Sequence, residues 1–554
     1  MIFYTNGVTK TLVDIGARHL ILFMGLSTLV ACTVVGPDYD EPVVEWLQEW
    51  QPSAYGDSYG QKPDEENAQP GNQTDAQFWW HLFNDPVLNR LIEEAKRENH
   101  SLRIAGLRIF ESRALLGIAN SSLYPQLQQV NGSTTYVNQQ SHGGYAPKSQ
   151  SFTNYQTGFN LGWELDFWGR FQRSIESADA AFFASITNQQ DAQVLLVAQV
   201  ANAYFAYRTT QARIEIAHKN AKIQQRSYEI TTNLFKSGEG SELDLQQAKT
   251  QYLATLSTIP QLEISLSQTR NAIAILLGKK PGTLPELETM TSAYHWPDIS
   301  PEYFQYIPAN RLTRRPDIRT AAWQVAAQSA QIGVAEADYY PAISLFGTIG
   351  WAGSDIRGSS DTSTFAIGPS FTWNILDYDR IENNVRIQDA TLQQLIEQYQ
   401  NLVLQAAKEV DDSSYSLLKT HEQKLLLDKS FIASQRALAL ANIRYREGYS
   451  DFQRVLDAQR AMFAQSDNQL LTQGNYIAAI INLYQSMGGG WTEMSIDELI
   501  SSKVKETMQE RTDWGDLLTA PLFLPPENVL PPKNAPINTT TKASIKAPGA
   551  AKNE

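Results

Sequence analysis

The sequence predicts a mixed α and β chain in which strands of a transmembrane β-barrel, four per chain, continue into a long α-helical barrel, the whole built by internal duplication. Three observations carry this expectation. "YQTGFNLGWELDFWGR", Tyr155 to Arg170, puts Tyr155, Thr157, Phe159, Leu161, Trp163, Leu165 and Phe167 on one face and Gln156, Gly158, Asn160, Gly162, Glu164 and Asp166 on the other. That is the period of a two-faced strand. From Arg170 to Ser237 the chain has no Gly or Pro, where average usage would place about eight, so the strand feeds a helix of about 100 Å at 1.5 Å per residue. The junction then recurs, "WNILDYDR" (Trp373 to Arg380) aligning with "WELDFWGR" (Trp163 to Arg170) at an offset of 210 residues.

At the N-terminus, Arg18 and His19 precede "LILFMGLSTLVAC", which has the basic flank and apolar length of a secretory signal and is too short and interrupted to span a bilayer as a helix. The only cysteine, Cys32, directly follows "LVA". It resembles the bacterial lipobox, whose thiol is acylated after cleavage, and a lone cysteine in an exported chain has no disulfide partner. Several acyl chains would anchor the protein stably, and Thr33 rather than Asp after the cysteine goes with sorting to the outer membrane. The chain therefore divides into a signal segment 1–31, a lipidated segment 32–84, a first repeat 85–300, a second repeat 301–491 and a C-terminal segment 492–554, disordered at its end. A net charge of −14 argues against nucleic acid as a partner.

Within each repeat the expected order is helix, strand, polar loop, strand, long helix, turn, helix. "LRIAGLRIFESRALLGIANSSLYP" aligns with "IRTAAWQVAAQSAQIGVAEADYYP" at an offset of 216, and "LFKSGEGSELDLQQA" with "RYREGYSDFQRVLDA" at 210. Gly238 and Gly448 stand where each long helix must turn back, a position that favours a left-handed residue. "NQQSHGGYAPKSQ" and "GSDIRGSSDTS" read as exposed loops. The second copy repeats the alternation, with Phe365, Ile367, Phe371, Trp373 and Ile375 on one face, whereas the strand after Pro125 alternates poorly and is counted by analogy with the one after Pro341. An aromatic-rich face and strands of about 11 to 13 residues suit a bilayer. Four strands cannot close a barrel, but three copies would supply twelve, enough to surround a pore. A soluble coiled-coil scaffold is the alternative from a different class.

The chain from Cys32 to Trp491 resembles the outer-membrane efflux-channel family of TolC and OprM, on "VGPDYDEP", "GWELDFWGR", "RRPDI" (Arg314 to Ile318), "LDAQR" (Leu456 to Arg460) and "LYQSMGGGW". The lipobox and those motifs resemble the OprM-like lipoprotein branch more than a TolC-like duct for type I protein secretion. The resemblance implies a homotrimer set in outer-membrane lipid, docked to a periplasmic adaptor and a proton-driven inner-membrane pump, and serving as a passive exit duct. It also implies a periplasmic gate. Asp244 would pair with Tyr445, Asp457 would form a threefold ring of carboxylates, and Arg454 and Arg460 would stand beside them. This sequence departs from the family where Ser450 replaces an arginine, Gln453 an apolar gate residue and Arg454 an acid. The duplication makes Arg454 and Asp244 pseudo-equivalent positions of opposite charge, a pair that would link neighbouring halves.

No catalytic constellation competes with this reading. The seven histidines form no HExxH and have no nearby cysteine, so neither a metal nor another cofactor is expected. "MGGGW" lacks the Lys and Ser or Thr of a phosphate loop, and Asp411 and Asp412 belong to a solvated helix face.

Overall fold

A computed structural model describes residues 34–48, 50, 53, 76–141, 148–288, 294, 296–301, 309–354 and 361–526. Cys32, the signal segment, the tips of both strand loops and the tail from 527 onward lie outside the described residues. The principal elements are α1 (Pro86–Glu98), α2 (His100–Ser121), β1 (Leu127–Ser141), β2 (Lys148–Leu165), α3 (Arg170–Lys236) and α4 (Glu242–Leu276). The second half repeats the order from the second helix on, with α5 (Pro316–Glu336), β3 (Ala342–Gly353), β4 (Asp361–Thr372), α6 (Arg380–Arg446) and α7 (Phe452–Ser486), followed by α8 (Ser502–Arg511). The long helices α3 and α6 are 67 residues each and α4 and α7 are 35 each, so the offset of 210 holds in three dimensions. Only α4 carries an internal proline, Pro260, whose ring removes one helical hydrogen bond.

The four strands form one antiparallel sheet in the order β1-β2-β3-β4, β2 and β3 joining the repeats. Register puts Val130 opposite Phe159, Phe159 opposite Ile349, and Ile349 opposite Phe365. This apolar row crosses the whole sheet on one face, and its outermost members are 77% and 75% exposed. The opposite face is polar, where Thr348 donates to Asn160 at 2.9 Å and Asn160 to Asn131 at 3.4 Å. Strand β1 is a full strand despite its poor alternation. The first hairpin also runs longer than expected, 15 and 18 residues, because Asn138 to Ser141 pair with Lys148 to Ser151; Asn, Gln and Ser read as loop residues, yet a ladder is made by backbone groups that any of them carries. Conversely β4 ends at Thr372, which leaves Trp373 and Ile375 beyond the strand, Trp373 donating to the Tyr339 carbonyl at 2.9 Å.

Each strand turns into its long helix through a left-handed residue, Gly169 (φ 76) and Asp379 (φ 64). Carboxylates cap the new helices, Asp166 accepting from the Gln172 amide and Asp377 from the Ile381 amide, both at 2.8 Å. Against the first junction lies the strap 34–48. Val35 donates to the Trp168 carbonyl, and the buried Arg173 guanidinium holds the carbonyls of Val35 and Gly36 and the Asp38 carboxylate, each at 3.0 Å. A Cβ on Gly36 would come within 2.3 Å of Gly333, and one on Gly169 within 2.7 Å of Val34. Farther along, Tyr39, Val44, Trp46 and Trp50 pack on the main core, and Ser53 bonds Asp411 of α6.

That core sits midway down the helices and is thicker than a coiled-coil seam. Trp79, Trp80 and Phe83 fill it from the segment before α1, Leu88 and Leu91 from α1, Tyr204 and Phe205 from α3, and Ile477, Ile480 and Leu483 from α7. Asp85, almost wholly buried, caps α1 and accepts from the Tyr204 and Tyr294 hydroxyls at 2.6 and 3.0 Å. A second cluster packs Leu499, Ile500, Met508 and Leu518 of the C-terminal segment on Ile109 and Phe110 of α2. Only toward the far ends do the helices pair thinly, as their Ala-, Leu- and Gln-rich composition implies.

Candidate functional site

The far ends of the helical pairs bring together the residues singled out for a gate. Each turn is a Schellman motif. Gly238 (φ 79) donates to the Phe235 carbonyl and Glu239 to Leu234; Gly448 (φ 78) donates to Tyr445 and Tyr449 to Arg444, all at 2.8 to 3.1 Å. A Cβ at either glycine would meet nothing within 4 Å. Conformation alone therefore dictates glycine here. Pseudo-equivalent caps start the returning helices, Ser241 accepting from the Leu243 amide at 3.1 Å and Asp451 from the Arg454 amide at 3.3 Å. Because the turn residues precede the helix, Asp244 falls in the first turn of α4, where the helix dipole favours a carboxylate.

Behind the turns Ala248, Phe452, Val455 and Leu456 form a small core on which Tyr228, Ala441 and Tyr445 pack, Tyr445 lying 5.2 Å from Phe452 ring to ring. Burial first, and the Asp244 carboxylate second, push the Tyr445 phenol above its ordinary range. The two are neighbours, although no hydrogen bond joins them among the described residues. Asp457 accepts from Gln453 at 3.0 Å and pairs with Arg460 at 3.5 Å, both partners about half exposed. Arg460 also reaches Gln251 of α4 at 3.3 Å, which links the two returning helices. Arg454 makes no ion pair with Asp244 within the chain.

Other contributors were not singled out from the sequence. On α3, Asn220, Gln224, Ser227 and Thr231 are buried at a 4-3-4 spacing, a coiled-coil seam made polar. Gln459 of α7 donates to Ser227 at 2.8 Å, and both amide atoms of Gln224 are buried without a partner. The pseudo-equivalents in α6 are Ser430, Ser434, Ala437 and Ala441, none of them buried, so a buried polar seam of this length belongs to one repeat. The spacing was the available signal. Of the quoted motifs, "RRPDI" and "GGGW" prove to be joints: Arg315 binds Asp317 through two nitrogens and also reaches Glu409 and the Ser486 carbonyl, while a Cβ on Gly490 would press on Trp79 at 3.0 Å.

Among the described residues no cluster of His, Cys, Asp or Glu has the arrangement of a metal site, and no helix is long and apolar enough to cross a membrane. Residues 91–279 and 307–489 match the family described as outer membrane efflux protein, one stretch in each repeat. The cation efflux system protein CusC of Escherichia coli O6:H1 is 30% identical over 86% of this chain and 99% of its own length. The probable outer membrane lipoprotein SilC of Salmonella typhimurium is 29% identical over 84% and 97%. Among solved structures, the outer-membrane channel OprN superposes with a TM-score of 0.70 at 31% identity, covering 82% of this chain and 99% of that one.

Proposed function

The chain belongs to the outer membrane efflux protein family, and from that membership we propose that three copies form a passive exit duct through which a periplasmic adaptor and an inner-membrane pump discharge small molecules. The observation that carries the reading is a four-stranded sheet, apolar on one face and polar on the other, the outer edges of β1 and β4 without a strand partner among the described residues, joined directly to helices of about 100 Å. An isolated sheet of that kind exposes backbone groups that hydrocarbon cannot satisfy, and closure into a barrel removes the edges. Twelve pooled strands leave an aqueous lumen lined by the polar face. The pump selects the cargo.

Cys32 lies two residues before Val34, which packs on Gly169 at the junction of sheet and helix. Acyl chains on Cys32 would thus enter the leaflet that the sheet meets on its periplasmic side. At the opposite end, Asp244, Tyr445, Arg454, Asp457 and Arg460 hold the tip shut. Exposed ion pairs of about 0.2–1 kcal/mol each are weak enough to yield to a docking partner. The test is native mass measurement in detergent, with conductance in planar bilayers. A trimer is expected, with higher conductance for Asp244→Ala combined with Tyr445→Phe and weaker cation preference for Asp457→Asn. A stable monomer would overturn the architecture, and unchanged conductance and ion preference would put the gate elsewhere.

A further inference from the structure

A cleft in the helical wall opens on the side that neither the strap nor the C-terminal segment covers. It holds about 360 Å³ between α3, α5 and α6, and α5 lines it with Asp317, Thr320, Ala321 and Gln324, the i, i+3, i+4, i+7 stripe of a single helix face. Gly333, which receives the strap at Gly36, lies about 160° around the same helix. On α3, Phe182 and Ile186 share a cluster with the C-terminal segment, and Asp191 of the cleft stands about 140° to 180° from them. Strap and C-terminal segment therefore cover one side of the wall, and the cleft opens on the other. The strap leads to Cys32, whose acyl chains need lipid, so the covered side is the outside and the cleft faces the lumen. Along α3, Asp191 lies about 30 Å from the sheet and about 70 Å from the turn.

The lining of the cleft is rich in hydrogen-bonding capacity that the chain does not use. Asn188, Gln324, Gln398, Asn401 and Gln405 present carboxamides to it, and none of these side chains has a hydrogen bond among the described residues. A carboxamide offers two donors and a carbonyl acceptor, and a neighbouring one in the same wall is taken, Gln328 donating to Gln388 at 2.9 Å. Charge is divided as unevenly. Asp317 accepts from Arg315 through both oxygens and from the Ile318 amide, whereas the Asp191 carboxylate has no ion pair or hydrogen bond among the described residues. Its carboxyl is pushed up to about 6, chiefly by burial, and is therefore ionised at pH 7.5. A bare divalent ion calls for several carboxylates, and the described residues hold no such cluster. One unpaired negative charge among neutral donors and acceptors instead matches one positive charge on a molecule with hydrogen-bonding groups of its own, and the volume is at the small end of the range for small-molecule sites.

We propose that this cleft is a binding site in the duct wall for a hydrophilic organic cation, a protonated amine seated against Asp191 with its hydroxyl or amide groups bonded by Asn188, Gln324, Gln398, Asn401 and Gln405. Its place on a lumen rests on the duct and the lipid anchor proposed above, but the cleft itself is formed within one chain. Three copies set three such sites at one level, far from the carboxylates of the tip, so a cation that has passed the gate is held again partway to the membrane. The duct remains passive, yet it delays cations of this kind relative to neutral molecules of the same size.

The probe is N-methyl-D-glucamine, a protonated secondary amine on a polyhydroxy chain, added at pH 7.5 to the full-length protein in nanodiscs. The protein carries Asp457→Asn, so that the carboxylates of the tip do not compete. Saturation-transfer NMR titrations should show the probe binding, with affinity about tenfold weaker or less for sorbitol, which keeps the hydroxyls and lacks the charge, and for tetramethylammonium, which keeps the charge and lacks the donors. Adding Asp191→Asn, which removes an unpaired charge and so leaves the fold intact, should weaken the probe by about tenfold or more. Adding Asp412→Asn, on the solvated face of α6, should not. Equal binding of sorbitol or tetramethylammonium, probe binding untouched by Asp191→Asn, or no binding by a native trimer overturns the site while the duct stands. A monomeric native mass overturns the duct, and probe binding that still depends on Asp191 would then keep the cleft and remove only its place on a lumen.

Discussion

At the scale of single residues, charge buried midway down the helices should make stability depend on pH. Asp191 of α3 borders a cleft of about 360 Å³ shared with α5 and α6, among Asn188, Asp317, Gln398 and Asn401. Burial foremost, then the Asp317 charge, with Arg315 opposing and Glu409 adding, pushes its carboxyl up to about 6. A carboxyl raised above its unfolded value favours the folded state only while protonated. Its unfavourable contribution is complete above about pH 6 and fades as the pH falls toward 4. Asp191→Asn should therefore stabilise the protein at pH 7.5 by about 1–2 kcal/mol, less than the full shift would give because water reaches the cleft. Urea midpoints at pH 7.5 and pH 4.5 check this, the gain appearing only at the higher pH.

At the scale of elements, the sheet and the helical seam make opposite demands on side chains. Phe365 belongs to the apolar row that starts at Val130, and an arginine at the bilayer midplane of a barrel costs about 2–4 kcal/mol. Phe365→Arg should reduce the amount of assembled protein in the outer membrane, whereas Thr364→Arg, on the polar face, should leave it near normal. In the seam, Gln224→Leu removes two unpaired buried polar atoms and should stabilise the helical pairs by about 1–3 kcal/mol. If the pairs move apart on opening, that variant should also lower the conductance of the isolated channel. The long helices were legible because absence of Gly and Pro over 68 residues leaves nothing else to form, and the turn glycines because a left-handed φ has few other candidates. The strap was not legible. Its residues have no periodicity of their own, and what fixes them is Arg173, more than a hundred residues away. The gate candidates came from resemblance and spacing, but Gln251 was missed and Gln453 was noted only as a departure from the family and not as the donor to Asp457, since a glutamine on a helix surface carries no sign of what it will meet.

At the scale of the whole molecule, two attachments to the membrane act independently. Removing the thiol with Cys32→Ser should abolish acylation, read as loss of acyl mass, while the protein stays in the outer-membrane fraction after a high-salt wash, because the apolar face of the sheet is buried in lipid either way. Release into the soluble fraction would show that the sheet alone does not hold it. The uninterrupted length of α3 and α6 has a mechanical consequence. Each is a lever rooted at Gly169 or Asp379, and with an arm of about 100 Å a swing of about 3° at the root carries the tip about 5 Å. Neighbouring strands already differ in twist by about 10° to 35°, so a rotation that small is lost within the ordinary variation of a sheet. The aperture at one end of the duct can thus widen while the hydrogen-bond register at the other end stays as it is.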